Sequence, residues 1–130
     1  MKKLKLGEII YKDNIPYVKG ADKRVAWSAD EHLAAIIRDY IRMVEKTEYH
    51  IGAAAFDEFP LIPHNKMVNS EETEEEREAS KRWHNILLQT ADMFDEYIKA
   101  TREISFDFKY EEHLDKMFNN LRRIFMDLWV

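Results

Sequence analysis

Residues 82–98, RWHNILLQTADMFDEYI, have apolar side chains at helical intervals. At about 100° per residue, a helix through this stretch collects its apolar side chains on one face. That stripe consists of Trp83, Ile86, Leu87, Thr90, Phe94, Tyr97 and Ile98. The same phase predicts a helix over roughly residues 71–101, with Ser70 as its N-cap. One continuous apolar face requires other elements to cover it.

Apolar residues recur at helical intervals on both sides of this central helix. A first stripe, in a helix predicted over residues 29–49, contains Leu33, Ile36, Ile37, Tyr40, Ile41 and Val44. A last stripe, near the C-terminus, contains Tyr110, Leu114, Met117, Leu121, Ile124, Phe125 and Leu128. Ser28 and Glu31 have the spacing of a capping box at the start of the first helix. The sequence therefore predicts a mostly α, three-helix bundle-like domain.

The segment before the first helix has a different pattern. Residues 4–19 contain two short apolar runs around the turn-favouring KDN, which predicts a short β-hairpin or extended segment, with Pro16 restricting the second strand to an edge. Trp27 precedes the helix cap and is predicted to pack on the first helix as a hydrophobic staple. We expect one domain over 1–130, divided into a basic segment 1–24 and a helical body 25–130.

The connection between the first two helices is long. Residues 50–69, HIGAAAFDEFPLIPHNKMVN, contain two prolines and have no consistent period. Loops beyond about 12 to 15 residues without structure of their own tend to be functional or mobile. We expect an ordered connection anchored by apolar side chains, with a short helical turn around GAAAFDEF.

Charge and composition exclude several classes of function. The chain of 130 residues has a formal charge of −5 and no cysteine, so it has neither disulfides nor a cysteine nucleophile. Residues 1–24 carry seven Lys/Arg and three Asp/Glu, whereas the remainder carries thirteen and twenty-two, giving +4 and −9. An acidic body disfavours nucleic-acid binding. No apolar run would span a membrane, and the N-terminus lacks a secretion signal, so we expect a cytoplasmic protein.

The glutamate-rich stretch SEETEEE, residues 70–76, has two interpretations. Glu72 and Glu76 continue the stripe of the central helix, and Glu72 with Glu75 has the i, i+3 spacing with which all-α nucleotide pyrophosphohydrolases of the MazG type hold Mg²⁺. Such a site needs a second acidic pair, from Asp92 and Asp95, from Glu111 and Asp115, or from another chain. The simpler interpretation, which we favour, is that the first turns of a long helix overhang the core in solvent.

No complete catalytic set is present in the sequence, and we expect no cofactor. The histidines His32, His50, His64, His84 and His113 form no HExxH motif or i, i+4 pair. Basic residues that could bind an anionic, nucleotide-like ligand are Lys23, Arg24, Arg122 and Arg123. The apolar C-terminus, with Phe125 and Trp129, predicts docking onto the domain or an interface between copies. We therefore expect a homo-oligomer.

Several segments resemble small uncharacterised helical proteins encoded by bacteriophages and prophages. The resemblance covers residues 24–130 and rests on Trp27, HLAAIIRDYI, RWHNILLQTADMFDEY and the terminal LW. Those proteins typically have a GYP segment where this chain has FDEFPLIP. The resemblance implies a phage-type protein without an assigned activity, in a bacterial host cytoplasm. We expect a non-enzymatic binding protein that acts on a host protein, as an anti-defence inhibitor does, or sequesters a small molecule; the alternative is the Mg²⁺-dependent hydrolase.

Overall fold

The hairpin expected within residues 4–19 is present. A computed structural model describes residues 2–47, 55, 74–104 and 106–128. Strands β1 (Glu8–Lys12) and β2 (Ile15–Lys19) pair antiparallel, with Ile10 opposite Tyr17. Asp13 and Asn14 both have positive φ, 54° and 66°, which makes the two-residue loop a type I′ turn. This turn matches the twist of the two strands and fixes their register.

The helical part of the chain begins earlier than the capping box indicates. A 3-10 helix, Lys23–Ser28, leads into α1, and the backbone of Asp22 before it is extended. The Asp22 carboxylate accepts a hydrogen bond from the Arg24 N–H at 2.9 Å, so Asp22 caps this helical run. Ser28 therefore lies inside the helical path rather than at its start.

The staple prediction for Trp27 is wrong. Its side chain is 80% exposed. A staple requires a non-helical residue before the cap, but Trp27 belongs to the 3-10 helix that continues into α1. His32, which a staple would place against Trp27, instead has its Nδ1 2.7 Å from the Val25 carbonyl oxygen.

Three α-helices follow in the described residues: α1 (Ala29–Thr47), α2 (Glu74–Glu103) and α3 (Tyr110–Ile124). A short 3-10 helix, Phe125–Asp127, extends α3. The mostly α, three-helix fold with an N-terminal hairpin is therefore confirmed. The connection predicted over 50–69 lies outside the described residues apart from Ala55. No helix among the described residues is both long enough and apolar enough to cross a membrane.

The core follows the stripes that the sequence predicts. The larger buried cluster consists of Ile41, Ala55, Ala79, Trp83, Ile86, Leu87, Ala91 and Ile124. A smaller one consists of Ala34, Phe94 and Met117. Leu121 of α3 and Ile37 of α1 pack against both clusters, which makes the three helices share one core. Three residues of the predicted stripes are exposed instead: Leu33 and Tyr40 of the first stripe, at 58% and 53%, and Phe125 of the last stripe, at 66%.

The chain divides into two compact units, Met1–Leu33 and Ala34–Val130. The first contains the hairpin, the 3-10 helix and the first turn of α1. The second contains the rest of α1 with α2 and α3. The boundary between these units lies after Leu33, whereas the sequence predicted a boundary after residue 24. The 3-10 helix and the first turn of α1 belong to the same unit as the hairpin.

Candidate functional site

The start of α2 does not overhang the core as we expected. Glu76 is 6% exposed and Ala79 is fully buried, whereas Glu74, Glu75 and Glu78 are exposed. Glu76 lies seven residues before Trp83, so the face of the helix that is buried at Trp83 is already covered at the first turn. Ala55, from the segment between α1 and α2, is buried in the same cluster as Ala79.

The burial of Glu76 does not by itself produce a metal centre. Among the described residues, no group of three or more His, Asp or Glu side chains could hold a metal ion. Glu72, the predicted partner of Glu75 and Glu76, lies outside those residues. Asp95, a candidate for the second acidic pair, is instead engaged by two cations, and Asp115 is exposed on α3.

Asp95 belongs to an ion-pair network that joins α1 to α2. Arg38 reaches Asp95 at 2.8 Å and also its own neighbour Asp39 at 2.8 Å. Lys99 contacts the other oxygen of Asp95 at 2.9 Å. The hydrogen bond from Lys99, followed by that from Arg38, lowers the pKa of Asp95 below its usual range, and Arg38 does the same for Asp39. The apolar periodicity of the sequence did not predict this network.

The neighbouring pair, Arg42 with Asp92, shows the signal that could have revealed the network. Arg42 lies four residues after Arg38, and Asp92 lies three residues before Asp95, so each pair shares one helix face. Arg42 is 3.3 Å from Asp92. Two arginines at helical spacing on α1 and two aspartates at helical spacing on α2 are therefore the sequence signal that indicates a contact between these helices.

The described histidines have structural roles. His113 donates through Nε2 to the Met93 carbonyl oxygen at 2.7 Å and lies against the ring of Phe108. His84 is 3.2 Å from the Glu45 carboxylate, a second contact between α1 and α2. His50 and His64 lie outside the described residues. None of the described imidazoles is grouped with enough other ligands to form a metal site.

The predicted anion-binding residues are divided between the two units. Arg24 holds both carboxylate oxygens of Asp22, through Nε at 3.0 Å and a terminal nitrogen at 2.7 Å. This side-chain hydrogen bonding lowers the pKa of Asp22 to about 2. Arg24 thus serves the helix cap, and Lys23 beside it is exposed. Arg122 and Arg123 are exposed near the end of α3.

The hairpin presents one face made of uncharged, largely apolar side chains. Because side chains alternate along a strand and cross-strand partners share a face, Ile9, Tyr11, Pro16 and Val18 point to the same side. We call these four residues the apolar hairpin face. Ile9, Tyr11 and Val18 are 57%, 72% and 64% exposed. The opposite face carries all the charged strand residues, Glu8, Lys12 and Lys19.

A second apolar surface lies at the end of α3. An open groove of about 510 Å³ is lined by Phe118, Leu121, Arg122, Phe125 and Met126. Phe118, Phe125 and Met126 are all exposed. Phe125 was predicted as an interface residue and lies on this accessible apolar surface. Trp129 was predicted together with Phe125 and lies outside the described residues.

The comparisons with known proteins leave the function to be argued from these surfaces. No protein-family model matches the chain. A search of curated proteins and a search of solved structures also give no match.

Proposed function

We propose that this is a non-enzymatic binding protein whose hairpin docks onto another protein. The observation that carries the proposal is the apolar hairpin face. A two-stranded hairpin is marginally stable by itself in water, and a contiguous exposed apolar surface is typical of an interaction site. Four neighbouring side chains with no charged group among them, and with the Tyr11 hydroxyl as the single polar group, form such a surface.

The charges around the hairpin indicate the chemistry of the partner. Residues 1–24 carry a formal charge of +4, and Lys12 and Lys19 lie at the two ends of the charged hairpin face. An apolar patch with an acidic rim is complementary to this arrangement. The resemblance to phage-encoded helical proteins favours a host protein as the partner. An anti-defence inhibitor is one example of a protein that acts on a host protein. The groove on α3 is open rather than enclosed, which supports a protein partner over a sequestered small molecule.

The experiment compares two pairs of cross-strand substitutions. Ile9→Thr with Val18→Thr alters the apolar hairpin face, and Ile10→Thr with Tyr17→Thr alters the opposite face; threonine keeps a high strand propensity in both. Tagged proteins are used to recover partners from a bacterial lysate, and the affinity for the purified partner is then measured by calorimetry. We expect the first pair to weaken binding at least about tenfold and the second pair to retain it.

Equal recovery of the partner by both paired variants would contradict the proposal. Circular dichroism of each variant shows whether the helical content is unchanged. Cross-strand contacts in two-dimensional NMR show whether the hairpin still forms. A loss of binding with an intact hairpin then assigns the effect to the surface.

A Mg²⁺-dependent nucleotide hydrolase is the second candidate, because Glu76 is buried at the start of α2. Divalent-cation binding to the native state would raise the melting temperature. The wild type is melted with and without Mg²⁺ or Mn²⁺ beside Glu76→Gln, and pyrophosphate release from nucleoside triphosphates is measured. A wild-type melting temperature that neither ion changes would exclude this candidate.

A further inference from the structure

We propose that the exposed face of α3 pairs with the same face of a second copy of this chain, with the two helices antiparallel. The α3 stripe, as we define it, consists of Asp115, Phe118, Arg122 and Phe125. At 100° per residue these four positions fall within about 80° of one another around the helix axis. All four are exposed.

The aromatic centre of the stripe is held in place by the core. Phe118 meets the buried ring of Phe94 edge to face, with ring centroids 6.0 Å apart and planes at 84°. This contact supports one side of the Phe118 ring and leaves the outer side accessible. A preorganised aromatic side chain loses little conformational entropy on binding, which favours it as an anchor.

Two opposite charges flank Phe118 along the same face. Asp115 lies three residues before it and Arg122 four residues after it, so the two are one heptad apart and about 20° apart around the axis. Within the described part of the chain, neither takes part in an ion pair. The stripe therefore has an acidic end, an aromatic middle and a basic end.

This order of charges is complementary to itself in one orientation. In an antiparallel pair with a two-fold axis beside Phe118, the residue level with Asp115 is the partner's Arg122. The same operation brings Arg122 level with the partner's Asp115, so both ion pairs form together. A parallel pair would place like charges together, which is unfavourable. Charge complementarity thus selects a second copy in the antiparallel orientation.

The test uses two charge reversals at exposed positions. Arg122→Glu places a carboxylate opposite the partner's Asp115, and Asp115→Arg places two cations opposite each other. We expect the wild type to dimerise with a Kd on the order of micromolar, because the stripe is small. Each single variant should weaken dimerisation at least about tenfold in sedimentation equilibrium. Mixing the two variants should restore a 1:1 heterodimer, since each ion pair then again joins opposite charges.

Lys116→Glu is the matched control. It changes the net charge by the same amount as Arg122→Glu, at an exposed position more than 90° around α3 from the stripe. We expect it to dimerise like the wild type. The proposal would be overturned if the wild type stayed monomeric up to about 200 µM, at which a micromolar Kd gives mostly dimer. It would also be overturned if the reversals left the dimer intact, or if the mixed variants failed to associate.

Discussion

Ile104 has a backbone conformation that is costly for its residue type. It follows the last residue of α2 and has φ +50°, in the left-handed region. Helices often end with such a residue, but the position favours glycine because a Cβ, and above all a branched one, is crowded there. The side chain offers little compensation, since it is 69% exposed. The sequence did not predict this turn, because isoleucine gives no local signal for it.

We therefore expect Ile104→Gly to stabilise the protein by about 1 kcal/mol. Ile104→Ala is the matched control, because it removes most of the side chain while keeping the Cβ. The free energy of unfolding is measured by urea titration with circular dichroism at 222 nm. A glycine variant no more stable than the alanine variant would show that the left-handed conformation at this position carries no such cost.

Between elements, the ion pairs of Arg38 connect α1 to α2. We expect Asp95→Asn to lower the free energy of unfolding by roughly 1 kcal/mol at pH 7, because it removes a half-buried carboxylate that accepts from Arg38 and Lys99. Asp92→Asn is the control, since its carboxylate is 66% exposed and 3.3 Å from Arg42. The effect of Asp92→Asn should be smaller. If both substitutions lowered the free energy of unfolding equally, the contacts of Asp95 with Arg38 and Lys99 would not be the source of the stabilisation.

The same network gives a pH dependence with a defined sign. The pKa values of Asp95 and Asp39 are below their ordinary value of 3.8, so the unfolded chain binds protons before the folded one as the pH falls. Their contribution to stability is fully present well above pH 3.8 and is lost as the pH falls below it. In urea titrations between pH 2.5 and 7, we expect Asp95→Asn to lose less stability on acidification than the wild type. If the free energy of unfolding fell equally with pH in the wild type and in Asp95→Asn, the prediction would be contradicted.

Periodicity predicted the helices better than it predicted the contacts between them. Trp83 and Phe94 could be assigned to the core because a stripe at helical spacing specifies which face is buried. Arg38 and Asp95 are 57 residues apart, and their meeting depends on the rotation and offset of two helices, which one helix's pattern does not contain. The prediction that the start of α2 overhangs the core in solvent is wrong at Glu76, which is 6% exposed. Helix phase placed Glu76 on the buried stripe, whereas the length of the central helix relative to its neighbours favoured the overhang.

The charge asymmetry along the sequence matches the two compact units. The unit Met1–Leu33 contains the basic segment 1–24, and the acidic remainder of the chain lies mainly in Ala34–Val130. The apolar hairpin face belongs to the first unit, and the α3 stripe belongs to the second. The two proposed interactions therefore use different units and can be tested independently.

Gly7→Ala tests that separation. Gly7 has φ +109°, and a Cβ there would lie 2.7 Å from Val18 Cγ1, so alanine should disrupt strand pairing. Because all ten strand residues are exposed, the urea unfolding of the helices should change by less than about 0.5 kcal/mol. NMR contacts between Ile9 and Val18 report the hairpin, and circular dichroism at 222 nm reports the helices.

Gly20→Asn is the control for Gly7→Ala, since asparagine tolerates φ +76° and the nearest atom to an added Cβ is 3.8 Å away. It should preserve the strand pairing. Gly7→Ala should abolish partner recovery through the apolar hairpin face while leaving dimerisation through the α3 stripe unchanged. If the helices unfolded together with the hairpin, the two units would be one cooperative structure, and substitutions in one could no longer be assigned to that unit alone.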